Sequence, residues 1–283
     1  VGNHRRRLSK RRGTVMRLDV NHRTTYRFDP PMRGVTQSLR LWPSLFDGQN
    51  VLDWNVKIDG ATRGANFRDG AGDLIETMTF RGSVDSVVVE VSGTVVTKDL
   101  AGVLQGHREK VPPLAYVRQG QFTRTNNTIR ELARGAIAGA ETPLAEAHAL
   151  AAAVGEAIAY VPGETDSQTT AAEALETGRG VCQDHAHTLI ATAICLEIPA
   201  RYVTGYLHAE GDIADASHAW AELYVRDLGW VGFDASNLKC PDETYIRLGS
   251  GFDSVDAAPI RGVAQGNGVE ALDVDVIVIS SDQ

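Results

Sequence analysis

Three side chains that could together form a nucleophilic site stand at the ends of predicted elements. Cys182 opens a predicted helix, His218 opens a predicted strand, and Asp234 closes the next strand. A thiol at a helix N-terminus lies beside unpaired backbone N–H groups and the positive end of the helix dipole, and both favour the thiolate. A histidine can protonate a leaving amine near pH 7, and a carboxylate can orient its ring. These residue types predict acyl transfer through a thiol, with the backbone N–H of Cys182 as one oxyanion donor.

The partnership of His218 with Asp234 depends on the register of the hairpin that carries them. By alternation, His218, Trp220, Glu222 and Tyr224 share one face of the predicted strand. Asp234 joins that face only if the numbers of paired residues sum to an even value, as with a three- or five-residue loop or with a bulge. Trp220 would then lie opposite Asp234, with His218 as its diagonal neighbour. A four-residue loop without a bulge would place the two side chains on opposite faces.

A second donor to the oxyanion is expected near the thiol, but no motif marks it. Gln183, Trp220 and Tyr160 are the three candidates. Trp220 could equally be a core residue, since large aromatic side chains usually dominate cores.

Other histidines near the thiol have a simpler explanation than metal binding. His185 and His187 could form a cluster with Cys182 and Asp184, but their spacing matches no common zinc pattern. Asp184 and His185 are expected to form local hydrogen bonds instead. The long loop at residues 208–216 is expected to be solvated, although its position between two site strands would also suit a lid.

The charge distribution separates a basic leader from an acidic body. The chain of 283 residues has 28 basic and 36 acidic side chains, yet residues 1–15 contain basic residues and no acidic one. A block of like charge is usually solvated chain, so this segment is predicted to be a disordered leader and not a nucleic-acid arm. The acidic remainder also argues against nucleic acid as a partner.

The cysteine count and the hydropathy indicate a cytoplasmic protein. Cys182, Cys195 and Cys240 are odd in number and show no paired spacing, which argues against a disulfide framework and fits a reducing compartment. Cys195 and Cys240 are expected to be structural. No run of 18 apolar residues and no apolar segment after the basic N-terminus is present, so neither a membrane span nor a secretory signal is predicted.

Residues 16–118 carry a pattern typical of antiparallel β-strands. Runs rich in β-branched and aromatic residues alternate between apolar and polar positions, and Gly, Pro and Asp separate them. The pattern predicts a small antiparallel sandwich or open barrel. The predicted strands cover residues 23–28, 35–42, 51–58, 73–80 and 86–97.

Residues 119–283 begin with alanine-rich helical sequence and are predicted to form a second domain. Gly178 should end the third helix, and a fourth should start near Val181 with apolar positions on two faces, so that it is buried. Strand-like sequence follows, and the alternation at residues 272–280 predicts a half-buried closing strand. The predicted N-caps are Thr128, Thr142 and Thr170.

Several sequence blocks resemble a known family. GVCQDHAH, SHAW and WVGFD resemble the Cys, His and Asp boxes of the transglutaminase-like superfamily. YRFDPPMRGVTQSLRLWP and REKVPPLAYVRQ resemble the β-rich domain that precedes this core in bacterial transglutaminase-like proteins, some of which are described as cysteine proteases. The resemblance covers nearly all of the chain after Met16. It implies an α+β fold, in which a β-sandwich-like domain precedes a papain-like core with a Cys-bearing helix packed on an antiparallel sheet.

The same resemblance implies a Cys182–His218–Asp234 triad that acts on amide or peptide bonds in peptide or protein substrates. Hydrolysis, as in a cysteine peptidase or amidase, is the favoured outcome, and transfer to an amine, as in a transglutaminase, is the alternative. A non-catalytic binding or scaffold module is the alternative of another class. The sequence lacks a calcium-loop pattern such as an EF-hand, so calcium dependence is not expected. Neither a cofactor nor a metal is expected.

Overall fold

The computed structural model describes residues 14–209 and 217–281. Within them the chain forms a six-stranded and a four-stranded sheet, both antiparallel, a short two-stranded parallel pair and four α-helices. The α+β class predicted from the sequence is confirmed. The predicted basic leader, apart from its last two residues, and most of the predicted loop at 208–216 lie outside the described residues.

The helices and strands alternate in blocks along the chain. The helices are α1 (Asn127–Ala136), α2 (Pro143–Ala157), α3 (Ala171–Thr177) and α4 (Cys182–Cys195), and a 3-10 turn spans Pro113–Tyr116. The strands are β1 (Val15–Leu39), β2 (Gln49–Lys57), β3 (Thr62–Arg68), β4 (Leu74–Lys98), β5 (Ala159–Tyr160), β6 (Arg179–Gly180), β7 (Ala200–Leu207), β8 (Ser217–Val225), β9 (Gly229–Phe233), β10 (Tyr245–Gly251), β11 (Ile260–Gln265) and β12 (Val269–Ser280). No helix in the described part of the chain combines the length and the hydropathy needed to cross a bilayer.

The six-stranded sheet is built around the two longest strands, β1 and β4. Its order is β11-β1-β4-β2, with β12 also paired to β1 and β3 also paired to β4. Alternation along β1 and β4 sends residues such as Leu18, Val20 and Val95 to a buried face. That face meets Tyr206 and Ile246 of the four-stranded sheet, so the second layer over this part of the sheet comes from the other half of the chain.

The last two strands correct the predicted division at residue 118. β11 pairs with Gly34–Leu39 and β12 pairs with Leu18–Asp29, so both belong to the sheet of the N-terminal half and not to the second domain. Val276 and Val278 are buried while their neighbours are exposed, which confirms the predicted half-buried strand. Alternation predicts that a segment is a strand and which face it buries, but it does not predict the partner. The division near residue 118 of the sequence before β11 stays a prediction.

The four-stranded sheet, in the order β10-β7-β8-β9, packs against α4. Ala219, Ala221 and Leu223 of β8 face the apolar side of α4, including Leu189 and Ile190. All residues of α4 from Asp184 to Ile194 are buried, because α1, α2 and α3 cover its other sides. The predicted buried helix is therefore confirmed, and its N-terminal residue Cys182 lies beside His218 near the start of β8.

A buried set of charged side chains joins the two halves of the chain. Glu222 of β8 accepts hydrogen bonds from Nε of Arg201 at 2.7 Å and from Nε of Arg247 at 2.8 Å. Nη1 of Arg247 reaches Asp73, which precedes β4, at 3.0 Å, and the amide of Gln49 pairs with the backbone N–H and C=O of Arg247 at 2.8 Å each. Charges buried this deeply are tolerated only when they are paired, so docking of the halves completes the pairing.

We expect Asp73→Ala to destabilise the protein strongly. The substitution leaves Arg247 with one carboxylate fewer and removes the acceptor of the Ser250 N–H, which lies 2.7 Å from Oδ2 of Asp73. Breaking a buried pair from one side costs about 3–5 kcal/mol in the free energy of unfolding. Urea denaturation followed by fluorescence measures this loss.

Glu90→Ala is the matched control, because it breaks only exposed ion pairs, with Arg23 and with Lys57. The side chains of Glu90, Arg23 and Lys57 are 38%, 57% and 55% exposed. A pair of this kind contributes less than about 1 kcal/mol. Equal losses for the two variants would contradict the assignment of the buried charges as the joint between the halves.

Candidate active site

The N-terminus of α4 is fixed by the chain that leads into it. α3 begins with a capping box at Thr170 and Glu173 and ends at Gly178, whose φ of 65° is left-handed and suits glycine. The next residues form β6, which pairs in parallel with β5. Asp184 then accepts a hydrogen bond from the Val181 N–H at 2.7 Å and another from the Thr165 hydroxyl at 2.6 Å. Cys182 is thereby held as the first residue of the helix, half-buried.

The β8–β9 hairpin has the register that the triad hypothesis requires. Ala221 pairs with Phe233 and Val225 pairs with Gly229, so paired numbers sum to an even value and the loop has three residues, 226–228. The tight connection is possible because Asp227 and Gly229 adopt left-handed φ angles of 70° and 85°. The register therefore sends the side chains of His218 and Asp234 to the same face.

Asp234 is a buried carboxylate with an unusually large number of donors. Its Oδ2 accepts from Nε2 of His218 at 2.6 Å, from the amide of Asn237 at 2.8 Å and from the hydroxyl of Tyr245 at 2.7 Å. Its Oδ1 accepts from the N–H and hydroxyl of Ser236 at 3.0 and 2.6 Å and from the N–H of Asn237 at 3.1 Å. Burial opposes its charge, but these hydrogen bonds outweigh burial and hold the pKa of Asp234 far below its usual range.

His218 connects the carboxylate with the thiol. Burial disfavours the charged ring, but the hydrogen bonds to Asp234 and to the side chain of Cys182 outweigh it and raise the pKa of His218 to about 9. Because Nε2 faces Asp234, Nδ1 is the ring nitrogen left for the thiol. Trp220 lies under the imidazole with its ring centroid at 6.4 Å. The three side chains thus form a series of thiol, imidazole and carboxylate.

The three proposed oxyanion residues lie in different surroundings. The Gln183 amide donates to the backbone oxygen of Asp166 at 3.3 Å, and Trp220 is buried in a cluster with Val203 and Tyr245. Tyr160 is 54% exposed, and its backbone pairs with Gly180 two residues before the thiol. Tyr160 is thus the most exposed of the three side chains. The role of each stays a prediction.

His185 and His187, the two histidines considered above as members of a metal cluster, contact different parts of the structure. The ring nitrogens of His185 lie 2.9 Å from the carbonyl oxygens of Val181 and Ile158, which fixes the ring against the chain that precedes α4. His187 stacks on Phe122 and accepts a hydrogen bond from the Ser254 N–H. Burial lowers the pKa of His187 to about 3, so its ring is neutral.

Three residues of the site were not anticipated from the sequence. Ser236 and Asn237 follow Asp234 directly, and the Asp-x-Ser-Asn spacing is a common turn signature in which a carboxylate binds nearby N–H groups. That signal could have been found. Tyr245 comes from another strand, and no local pattern points to its contact with Asp234.

The comparisons with known proteins identify the class. The family model of the transglutaminase-like superfamily matches residues 130–235, and that of the bacterial transglutaminase-like N-terminal region matches residues 18–96. The chain belongs to the transglutaminase-like superfamily and carries the N-terminal region found in its bacterial members. This confirms the resemblance noted from the Cys, His and Asp boxes.

Individual relatives agree with this assignment. The uncharacterized protein ML0607 of Mycobacterium leprae is 30% identical over 93% of this chain and 98% of its own length. The uncharacterized protein Rv2569c of Mycobacterium tuberculosis is 34% identical over 137 residues, which is 44% of each chain. The crystal structure of a putative cysteine protease from Cytophaga hutchinsonii superposes with a TM-score of 0.76 at 22% identity, over 96% of this chain and 93% of that one. The last likeness shows that the fold is shared.

The raised pKa of His218 predicts that stability falls in mild alkali. A group whose folded pKa exceeds its unfolded value stabilises the fold fully below the unfolded pKa, here 6.5, and loses that contribution as the pH rises through about 9. We expect the free energy of unfolding to fall by up to about 3 kcal/mol between pH 6.5 and 9.5. Urea titrations at pH steps across this range measure the effect.

His218→Asn serves as the reference for this titration, because it keeps a side chain that can contact Asp234 but does not titrate. The difference in the free energy of unfolding between the wild type and the variant should become smaller as the pH rises over this interval. Parallel curves for the two proteins would contradict the assigned His218 environment.

Proposed function

We propose that this protein is a thiol-dependent acyl-transfer enzyme that acts on amide or peptide bonds, with hydrolysis as its main outcome. The observation that carries the proposal is that one imidazole, that of His218, contacts both the half-buried thiol of Cys182 and the carboxylate of Asp234. Nucleophile, acid–base group and orienting carboxylate in this order are what covalent acyl transfer requires.

The proposed reaction proceeds in two halves. The thiolate of Cys182 attacks the carboxamide carbonyl, and the oxyanion that forms is stabilised by the backbone N–H of Cys182, which has no partner inside the first turn of α4. The protonated His218 then gives its Nδ1 proton to the departing amine as the C–N bond breaks, which leaves a thioester. In the second half, water or an amine gives a proton to His218 and attacks the thioester, and the thiolate is released.

Hydrolysis is preferred because water is always available at a half-buried thiol. The name of the structural relative from Cytophaga hutchinsonii, a putative cysteine protease, supports the same preference. Transfer to an amine is the alternative, and it uses the same groups. We propose peptide or protein substrates for either outcome, and no step needs a cofactor. A cytoplasmic location suits a chain whose three cysteines are all free thiols.

We expect Cys182 to be the most reactive cysteine. Burial raises the pKa of Cys240 to about 11 and also raises the pKa of Cys195, whereas Cys182 lies at a helix start next to His218. With limiting iodoacetamide at pH 6 to 7, mass-spectrometric peptide mapping should show alkylation of Cys182 at least about tenfold faster than of Cys240. His218→Asn should slow the alkylation of Cys182 and leave Cys240 unaffected.

Equal rates at Cys182 and Cys240, unchanged by H218N, would favour a non-catalytic binding or scaffold module. The experiment therefore separates the enzyme hypothesis from the alternative of another class without any knowledge of the substrate.

We expect a glutamine-containing peptide to release ammonia, or to be cleaved, faster than it incorporates a labelled primary amine. Cys182→Ala should abolish both activities, and Asp234→Ala should lower kcat by about 10²–10⁴-fold, since the ring loses its orientation. Ammonia assay, scintillation counting and mass spectrometry of the peptide measure the three products.

Cys240→Ala, which removes a thiol outside the site, should leave the rates unchanged. Amine incorporation that outruns hydrolysis at millimolar amine would overturn the preference for hydrolysis and assign a transglutaminase activity. Activity retained in C182A would overturn the proposal itself.

A further inference from the structure

Tyr245 touches the proposed site without contacting the thiol. Its hydroxyl donates to Oδ2 of Asp234 at 2.7 Å, and its ring centroid lies 5.9 Å from that of His218. We propose that Tyr245 is a positioning residue: its hydroxyl shares Oδ2 of Asp234 with the imidazole and so sets how strongly the carboxylate holds the ring and proton of His218. The proposal rests on the acid–base role of His218 under the proposed function.

Oδ2 of Asp234 is shared by several donors. A carboxylate oxygen has lone pairs for about two good hydrogen bonds, and Oδ2 of Asp234 receives three donors. Each further donor draws charge from the oxygen and weakens its hold on the others. The donor from Tyr245 therefore limits the basicity that the carboxylate can pass on to His218.

The Tyr245 hydroxyl is buried beside Asp234 and the side chain of Asn237. The side chain is 4% exposed, and Trp220 packs edge-on against its ring at 5.4 Å. Burial and the charge of Asp234 raise the pKa of Tyr245 far above its usual range, so it remains a donor across the working pH range. Asn237, which also donates to Oδ2 through its side chain, is itself exposed and lies in a turn. The two donors thus differ in how firmly they are fixed.

The position of Tyr245 is set by the strand that carries it. Two residues along β10, Arg247 is held through its side chain by Glu222 and Asp73 and through its backbone by Gln49. Asp73 and Gln49 belong to the N-terminal half of the chain. The phenol that contacts Asp234 therefore lies on a strand that both halves of the chain hold in place. This fixes the position of the donor.

In the described part of the chain, several charged or titratable groups act on this pair. Lys239 lies over the Tyr245 ring with Nζ at 4.9 Å from its centroid, and Asp242 acts on Tyr245 from the loop before β10. His218 faces Cys182 from α4 and Asp234 from the end of β9. Replacement of the phenol by a phenyl ring keeps all of these side chains and removes the hydroxyl that donates to Asp234.

The test is Tyr245→Phe, read out on His218 directly. In protein labelled with ¹⁵N-histidine, the His218 signals are assigned by their absence in H218N and titrated by NMR. Loss of the donor makes Asp234 more basic, so we expect the pKa of His218 to rise by about 0.5 to 1 pH unit. In turnover, the alkaline limb of kcat should move up by the same amount and kcat should fall about 3- to 10-fold, with KM unchanged, because the imidazolium becomes a weaker acid.

Tyr206→Phe is the matched control. Tyr206 is a buried tyrosine of the same sheet whose hydroxyl pairs with Nδ1 of His22 at 2.7 Å, away from Asp234. Y206F should leave the His218 titration in place. The proposal would be overturned if the pKa of His218 in Y245F were equal to or lower than its value in Y206F.

Two further measurements test the role of Tyr245 if Y245F does not fold or if no turnover is found. If Y245F does not fold, the wild-type protein can be made with 3-fluorotyrosine, which keeps the contact with Asp234 and makes the hydroxyl a stronger donor. The pKa of His218 should then fall. An unchanged pKa of His218 would count against the proposal. If the wild-type protein turns over no acyl substrate, the proposed function fails, but the NMR titration still decides the role of Tyr245.

Discussion

The carboxylate of Glu222 lies between two buried guanidinium groups, and the arrangement of both sheets depends on this contact. Burial works against its charge, yet Arg247 and Arg201 outweigh burial and lower the pKa of Glu222 to about 2. An ion buried without partners costs several kcal/mol, and Arg247 finds its second carboxylate, Asp73, only in the N-terminal half. The two halves are therefore joined by the buried ion pair of Arg247 with Asp73 and by the apolar core around Leu18 and Tyr206.

Asp234 follows the same rule, but its partner is a group that can titrate. Glu222 is paired with two guanidinium groups, which stay charged. Asp234 is paired with His218, which can gain or lose a proton, while the donors from Ser236, Asn237 and Tyr245 keep the carboxylate ionised in both states. A fixed negative charge beside a titratable ring is what a proton carrier for a thiol requires.

Local patterns in the sequence predicted much of this structure. The caps at Thr142 and Thr170, the end of α3 at Gly178 and the buried helix from Cys182 depend on neighbouring residues and are confirmed. α1 starts earlier than predicted, because Asn126 caps it in place of Thr128. The hairpin register could only be stated as a condition, since loop length follows from backbone angles. Contacts between distant segments, such as β12 with β1 or the phenol of Tyr245 with Asp234, leave no trace in local periodicity.

β10 brings these constraints together, because Tyr245 and Arg247 lie two residues apart and so share a face. One side chain completes the hydrogen bonds of Asp234, and the other completes the buried charges between the halves. Any displacement of β10 away from the N-terminal sheet would unpair Arg247, which is costly, before it could move Tyr245. The N-terminal half thus contributes to the site by fixing the strand that holds Tyr245, a donor to the carboxylate.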